Sequence, residues 1–398
     1  MPAAGGRQPS GRVQEVTDRV SARSAVAPFH VMRVLQAAHD RAAEGRPVYD
    51  LSAGQPSTPA PRPVREAAAA AIAADRLGYT GALGLPALRA RIARWYATRY
   101  GLDVDARSVV VTTGSSGGLQ LAFLAAFDVG DTVVVTRPGY PAYRNMLAAL
   151  GCRVVELPLG PDLRLRPADL DALDAPPAGL VVASPANPTG TMLAPEDLAA
   201  VARWCDERGV RLISDEIYHG VSYGAAASTA WETSRRSVVL NSFSKYFSMT
   251  GWRIGWLLVP DELLDPVDRL AANFTICPPA VSQHAATAAF TPESTAELDA
   301  NVTAYAANRA MLLERLPAIG LDRLAPVDGA FYVYADVSRW TSDSLTWAGT
   351  LLEATGVAAA PGVDFDVVDG GAWLRLCFAG DGRVLAEAVD VLGRFLAR

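Results

Sequence analysis

Short apolar runs alternate with helix-forming segments between residues 108 and 259, and this alternation predicts a layered α/β structure. The runs are rich in valine, isoleucine and leucine, which is typical of strands buried on both faces of a parallel sheet. We therefore expect a mostly parallel sheet with helices on both of its faces. The predicted strands span residues 108–112, 132–136, 153–157, 179–184, 210–214, 237–240 and 254–259.

Outside this region the pattern is mainly helical. Residues 26–44 predict a helix that begins near Pro28, and the alanine-rich segment 65–74 predicts a second one. A glycine-rich turn at residues 113–118 is expected to precede a helix at 119–127. Further helices are predicted at 195–207, 279–290, 293–316 and 345–355, and strand-like segments at 329–337, 358–362 and 372–378.

Composition narrows the class of protein. The 398 residues are enough for one large and one small domain. The net charge of −6, with acids and bases mixed along the chain, argues against a nucleic-acid-binding surface. The four cysteines have neither metal-type nor redox spacing, so we expect reduced thiols in a cytoplasmic protein. The histidines form no metal pattern, no stretch is apolar enough to span a membrane, and residues 1–12 do not resemble a signal peptide.

The segment from Asn241 to Trp256, NSFSKYFSMTGWRIGW, carries the strongest chemical signal. Lys245 lies between two predicted strands, where burial would lower its pKa and leave a neutral amine that attacks carbonyl carbons. Beside Lys245 the segment also offers groups that bind a phosphate, the hydroxyls of Ser242 and Ser244 and the guanidinium of Arg253. For an isolated lysine and arginine, a loop position and a solvated charge would be the ordinary interpretation. Together, a lysine for an aldehyde and a phosphate site suggest pyridoxal 5'-phosphate (PLP).

Other polar residues follow predicted strands, at the edge where open α/β sheets bind ligands. Ser115 and Ser116 lie in a strand–turn–helix segment, which is a weak signal for an anion site when taken alone. Tyr140 and Asn187 also follow strands, in turns. Asp215 ends a buried strand and needs a partner, either a cofactor nitrogen or the N-terminus of a helix that it caps.

Six motifs occur in the order found in the class I and II aminotransferases, PLP enzymes of fold type I, and the sequence resembles that family over nearly its whole length. They include YTGALGLPALR at 79–89, ANPTG at 186–190, DEIY at 215–218 and the segment around Lys245. The resemblance implies an internal aldimine between Lys245 and PLP, with Asp215 at the pyridinium nitrogen. It places Asn187 and Tyr218 at the phenolic oxygen and Tyr140 against the ring. Around the phosphate it places Ser115, Ser116, Ser242, Ser244 and Arg253.

The same resemblance implies contacts with the substrate and with a second subunit. Gly54 and Asn187 are expected near the substrate, and Arg375 is expected to bind its α-carboxylate. A structural carboxylate is the alternative partner for Arg375, since a buried arginine without a partner is costly. Tyr79 would reach the phosphate of the neighbouring subunit, which implies a homodimer with shared active sites. A tyrosine packed in the core is the alternative there.

The resemblance also implies a domain organisation. We expect a disordered tail at residues 1–24 and a large PLP-binding domain at 59–290. A smaller α+β domain would combine residues 25–58 with residues 291–398. Metal ligands, nucleic acid and membranes are not expected as partners.

The predicted reaction is transfer of an amino group between an L-amino acid and a 2-oxo acid, with Lys245 as base and acid. A decarboxylase, β-lyase or oxygen-using oxidase of the same fold is the first alternative. A DNA-binding regulator with such a domain is the second, and the short, weakly basic region before Val26 disfavours it. Phe29, Tyr140 and Trp231 suggest an apolar or aromatic substrate side chain, whereas Asp366, where many relatives have glycine, has no explanation from the sequence.

Overall fold

The computed structural model describes residues 20–74 and 77–397, so most of the predicted tail lies outside the described residues. These residues form twelve strands and twelve α-helices. The strands are β1 (Tyr49–Asp50), β2 (Val109–Thr112), β3 (Thr132–Arg137), β4 (Arg153–Pro158), β5 (Gly179–Ala183), β6 (Arg211–Asp215), β7 (Val238–Ser242), β8 (Gly255–Leu258), β9 (Tyr332–Asp336), β10 (Val357–Ala358), β11 (Ala360–Pro361) and β12 (Trp373–Cys377).

The helices account for most of the remaining chain. They are α1 (His30–Ala43), α2 (Arg62–Ala74), α3 (Pro86–Tyr100), α4 (Gly114–Ala126), α5 (Pro141–Leu150), α6 (Pro167–Asp171), α7 (Pro195–Arg208), α8 (Asp261–Phe274), α9 (Ala280–Thr287), α10 (Pro292–Ala318), α11 (Ser344–Thr355) and α12 (Gly382–Leu396). In the described part of the chain, none of them combines the length and apolar character that crossing a membrane requires.

A seven-stranded sheet lies at the centre, in the order β2-β8-β7-β6-β5-β3-β4. The five strands from β7 to β4 are parallel to one another. β8 is antiparallel to both of its neighbours, β2 and β7. The predicted mostly parallel sheet is therefore confirmed.

Both faces of this sheet are buried, because alternate strand residues enter different cores. Val134 belongs to one cluster together with Leu88 of α3 and Leu198 of α7. Its neighbour Val133 belongs to a second cluster with Val267 of α8. The uninterrupted valine runs of the sequence follow from this burial on two sides.

Two smaller sheets complete the fold. β11, β12 and β9 form an antiparallel sheet in which Arg375 pairs with Ala360 and Tyr334. β1 pairs with β10 in parallel, so Tyr49 lies opposite Val357. This contact between the two ends of the chain supports the predicted association of residues 25–58 with 291–398, which stays a prediction.

Two helices begin later or earlier than predicted, for reasons found in the tertiary structure. α4 begins at Gly114 rather than at residue 119, so Ser115 and Ser116 lie in its first turn. The glycines there serve close packing, because a Cβ on Gly118 would lie 2.7 Å from Leu240 of β7. α1 begins at His30 rather than near Pro28, where its first backbone N–H groups meet the distant carboxylate of Asp364.

Candidate active site

A cavity of about 260 Å³ opens at the carboxyl edge of the central sheet, beneath α1. Eleven of the thirteen predicted site residues line this cavity, and the two exceptions are Ser242 and Tyr79. The lining residues among the predicted ones are Gly54, Ser115, Ser116, Tyr140, Asn187, Asp215, Tyr218, Ser244, Lys245, Arg253 and Arg375.

Asp215 lies at the inner end of the cavity, on the last residue of β6, and only 2 % of it is exposed. Its carboxylate accepts hydrogen bonds from the Tyr143 hydroxyl at 2.5 Å and from the backbone N–H of Ile217 at 3.1 Å. Burial raises the pKa of Asp215 to about 6, and these two donors act in the opposite direction. The carboxylate is therefore ionised at neutral pH although it is buried.

Lys245 is the only lysine in the sequence, a signal that sequence reasoning could have used. It follows β7, and its Nζ donates a hydrogen bond of 2.6 Å to the carbonyl oxygen of Gly54. Burial, with a smaller effect of the nearby Arg375 cation, lowers the pKa of Lys245 to about 8. A substantial fraction of the amine is consequently neutral near physiological pH.

Arg375 is buried on β12 with an incomplete set of partners. It donates to Oδ1 of Asn187 at 3.0 Å and to the carbonyl oxygen of Ser52 at 2.5 Å, while its Nε has no hydrogen-bond partner. The rings of Tyr332 and Phe365 lie 4.4 and 4.8 Å from its Cζ atom. Among the described residues no carboxylate lies within salt-bridge distance of Arg375, which disfavours the structural-carboxylate alternative, and its role at the substrate stays a prediction.

Hydroxyl groups and an arginine surround the first turn of α4. Ser115 and Ser116 stand at this helix N-terminus, where free backbone N–H groups favour anions. Arg253 donates to the carbonyl oxygen of Thr250 at 2.9 Å and lies 3.5 Å from the Ser244 hydroxyl. Its backbone φ of 51° is in the left-handed region, which is costly for a non-glycine residue and is found at functional sites.

Ser242 differs from its prediction as a direct phosphate contact. Its side chain is buried behind the cavity and donates a hydrogen bond of 2.9 Å to the Ser244 hydroxyl. Ser242 is the last residue of β7, which is buried throughout, and its hydroxyl also lies 3.3 Å from the Ile254 carbonyl oxygen. It is therefore in a position to orient Ser244 and not to line the cavity itself.

Aromatic residues form the sides of the cavity, and two of them were not predicted. Tyr143 lies one helical turn after Tyr140, a spacing that could have identified it. Tyr332 shares a hydrogen bond of 2.7 Å between hydroxyls with Tyr218. No local sequence signal distinguishes Tyr332 from other strand residues, since it reaches the site from β9.

The outer wall of the cavity is apolar. It contains Phe29 and Ile217, together with residues on one face of α1: Val31, Met32 and Leu35. Phe29 packs edge-on against Tyr140, with 6.1 Å between the ring centroids. Trp231, in contrast, is a core residue whose indole N–H donates to the Ser237 carbonyl oxygen, so its suggested place at the substrate is wrong.

Two further predicted residues lie away from the cavity. Tyr79 is 84 % exposed, so the alternative of a packed core tyrosine is wrong. Asp366 forms an ion pair of 3.0 Å with Arg137 and accepts hydrogen bonds from two backbone N–H groups. This carboxylate therefore has structural partners, and it does not line the cavity.

Comparisons with known proteins agree with this geometry. Residues 46–392 match the family model for aminotransferase class I and II. The chain is 58% identical over 385 residues to the valine–pyruvate aminotransferase of Mycobacterium tuberculosis, covering 96% of this chain and 99% of that protein. It is 35% identical over 362 residues to the aspartate/prephenate aminotransferase of Thermus thermophilus, covering 89% of this chain and 92% of that protein.

The fold of this chain is also similar to that of a solved structure. A crystal structure of an aminotransferase from Mycobacterium tuberculosis superposes with a TM-score of 0.94 at 57% identity, covering 96% of this chain and 100% of that one. The predicted reaction class is thereby confirmed: this enzyme transfers an amino group between an amino acid and a 2-oxo acid. The chain belongs to the class I and II aminotransferases, a family that uses PLP.

Proposed function

We propose that this enzyme binds PLP in the cavity through Lys245, and that it uses valine as amino donor and pyruvate as acceptor. The observation that carries the proposal is the combination of groups in one cavity. A partly neutral amine, an ionised buried carboxylate and a helix N-terminus with hydroxyls match the aldehyde, ring nitrogen and phosphate of PLP.

Each part of the cavity then has a task on the cofactor. Asp215 would hold a proton on the ring nitrogen, because its charge is buried and the Tyr143 hydroxyl stabilises that charge. Tyr140 would cover the ring, and Asn187 and Tyr218 would donate hydrogen bonds to the phenolic oxygen. Ser115, Ser116, Ser244 and Arg253 would hold the phosphate, and Ser242 holds Ser244 in place.

The remaining groups act on the substrate. PLP, when bound, supplies an electron sink for the bond to the substrate's α-hydrogen. Lys245 accepts the α-proton as a base and returns it as an acid, and the Gly54 carbonyl oxygen orients its amine. Arg375 binds the α-carboxylate, which completes the hydrogen bonding of its orphaned Nε.

Two observations support an aliphatic amino donor. The outer wall presents the apolar side chains of Val31, Met32 and Leu35 to the substrate side chain. Within residues 20–74 and 77–397, the cations of the cavity lining are Lys245, Arg253 and Arg375. Each of them already has a role in the proposal, so none of these three is left for a second carboxylate. The relative at 58% identity is named for valine and pyruvate.

The proposal includes a homodimer in the cytoplasm. The exposed Tyr79 side chain would contact the phosphate in the partner subunit's cavity. The four cysteines are all free thiols, as in a reducing compartment.

The sole lysine makes the test direct. Purified protein is incubated with PLP, reduced with borohydride and mapped by mass spectrometry, and we expect one pyridoxyl group, on Lys245. Lys245→Ala and Lys245→Arg should incorporate none at an internal position and should lose transamination. Valine, alanine and aspartate are then compared as donors with pyruvate or 2-oxoglutarate as acceptor. Incorporation only at the N-terminus would refute the role of Lys245, and a preference for aspartate would refute the substrate assignment.

A further inference from the structure

The carboxylate of Asp364 caps α1 from a distant part of the chain. Its two oxygens accept hydrogen bonds from the backbone N–H groups of His30 at 2.9 Å and Val31 at 2.7 Å. These N–H groups have no partner inside the helix, and the residue before it, Phe29, provides no side-chain cap. Asp364 is 2 % exposed, so water does not replace it.

The helix that Asp364 holds is also the apolar wall of the active site. Val31, Met32 and Leu35 share one face of α1 and line the cavity. Val31 is itself one of the two residues whose N–H is bonded to Asp364. The position of this wall therefore depends directly on the Asp364 carboxylate.

The segment that contains Asp364 is also in contact with the carboxylate-binding side of the cavity. The next residue, Phe365, packs its ring 4.8 Å from the Cζ of Arg375. Arg144 donates a hydrogen bond of 2.7 Å to the Asp364 carbonyl oxygen and so fixes this segment to α5. One short turn, Gly362–Asp364 with Phe365, thus connects the apolar wall to the arginine for the α-carboxylate.

We propose that Asp364 is a positioning residue for substrate specificity. It holds the first turn of α1 at the separation from Arg375 that a branched amino acid fills. A branched side chain reaches this wall, whereas the methyl group of alanine is too short to need it. This inference rests on the proposed aliphatic donor and names the residue that sets the preference.

The test compares two variants with a matched control. Asp364→Ala removes both hydrogen bonds to α1, and Asp364→Asn keeps one acceptor oxygen. Asp381→Ala is the control, because Asp381 caps α12 through the N–H groups of Arg383 and Val384 and that helix does not line the cavity. For each PLP-loaded protein, kcat/KM is measured for valine and for alanine, and amide hydrogen exchange is followed over residues 30–43 and 382–396.

We expect Asp364→Ala to lower kcat/KM for valine about tenfold, with alanine changed less than about twofold. Asp364→Asn should lie between Asp364→Ala and the wild type. Exchange should accelerate over residues 30–43 in the Asp364 variants and over 382–396 in Asp381→Ala. If Asp364→Ala does not fold, kcat/KM and amide hydrogen exchange are both measured on Asp364→Asn.

Two results would overturn the inference: equal losses for valine and alanine, or unchanged exchange across residues 30–43. Failure of the proposed substrate is visible separately, because the wild-type enzyme would then not prefer valine. In that case kcat/KM for the largest apolar donor that the wild type accepts is compared with kcat/KM for alanine. The hydrogen-exchange measurement is made as before.

Discussion

The hydroxyl of Tyr143 donates a hydrogen bond of 2.5 Å to the buried carboxylate of Asp215. This bond stabilises the charged form of an acid whose pKa burial raises to about 6. Tyr143 therefore keeps Asp215 ionised in the range where the enzyme needs a negative charge at the end of the cavity.

Tyr143→Phe should move the acidic limb of the kcat/KM–pH profile upward by about one pH unit, because a hydrogen bond to a charged group is lost. Above that limb, activity should approach the wild-type value. Tyr223→Phe is the control, since its hydroxyl donates to the Ala330 carbonyl oxygen outside the cavity. An unshifted limb in Tyr143→Phe would show that this bond does not set the ionisation of Asp215.

Capture of PLP by cofactor-free enzyme should depend on the neutral amine of Lys245. With the pKa of Lys245 lowered to about 8, the initial rate should fall about tenfold per pH unit below pH 8 and level off above it. Rapid mixing followed by borohydride trapping measures this rate on the single lysine. In Arg375→Met the midpoint should move to higher pH, because the Arg375 cation contributes to lowering the pKa of Lys245. A rate independent of pH would contradict the prediction.

Arg375→Leu should reduce kcat/KM for the amino donor by about 10²–10³, the cost of losing a buried charged hydrogen-bond partner. The final PLP content after incubation with excess PLP should stay unchanged, since removal of the Arg375 charge alters the pH dependence of the capture rate and not the cofactor contacts. Arg323→Leu serves as control because it breaks an ion pair with Asp336 in which the arginine is largely exposed. Loss of PLP from Arg375→Leu would point to a role in the cofactor site.

Glu216 should make the cofactor-free protein less stable as pH rises. Burial raises the pKa of Glu216 from 4.5 to about 8, so between these values the folded state holds a proton that the unfolded state has released. Stability is then greatest below the unfolded pKa and is lost as pH rises towards 8. The neighbouring His219, whose pKa burial lowers to about 3, acts oppositely below pH 6.5.

Between pH 6.5 and 8 the effect of Glu216 dominates, because Lys245, whose pKa is lowered to about 8, acts in the opposite direction only near the upper end of this range. The free energy of unfolding should fall there by about 1–2 kcal/mol. Glu216→Gln should flatten the curve in chemical denaturation, and Glu196→Gln, an exposed carboxylate on α7, should not. A slope that persists in Glu216→Gln would assign the effect to another group.

Mixing two inactive dimers tests whether Tyr79 serves the partner subunit. When Lys245→Ala and Tyr79→Ala subunits are co-expressed and heterodimers isolated, one site should carry both lesions and the other should be intact. Activity should thus recover to about half of the wild-type value per heterodimer. Absence of recovery would mean that Tyr79 acts within its own chain.

Much of the site could be predicted from the sequence because parallel strands bring their carboxyl ends to one edge. Asp215 ends a strand and Asn187, Tyr140 and Lys245 follow strands, all of which local apolar patterns identify, and these residues meet at that edge. Their separation along the chain is therefore no obstacle to grouping them.

Only the tertiary structure determined the contacts between segments that are distant in the sequence, because the local pattern of one segment does not indicate which other segment it contacts. Tyr332 reaches Tyr218 from the small antiparallel sheet, and Asp364 determines where α1 begins. Ser242 is buried behind Ser244 because β7 extends through residue 242 within a sheet that is buried on both faces. Periodicity in the sequence identifies strands and helices. It does not encode which distant carboxylate or hydroxyl forms the hydrogen bonds of a helix end or a buried cation, because that pairing follows from packing in three dimensions.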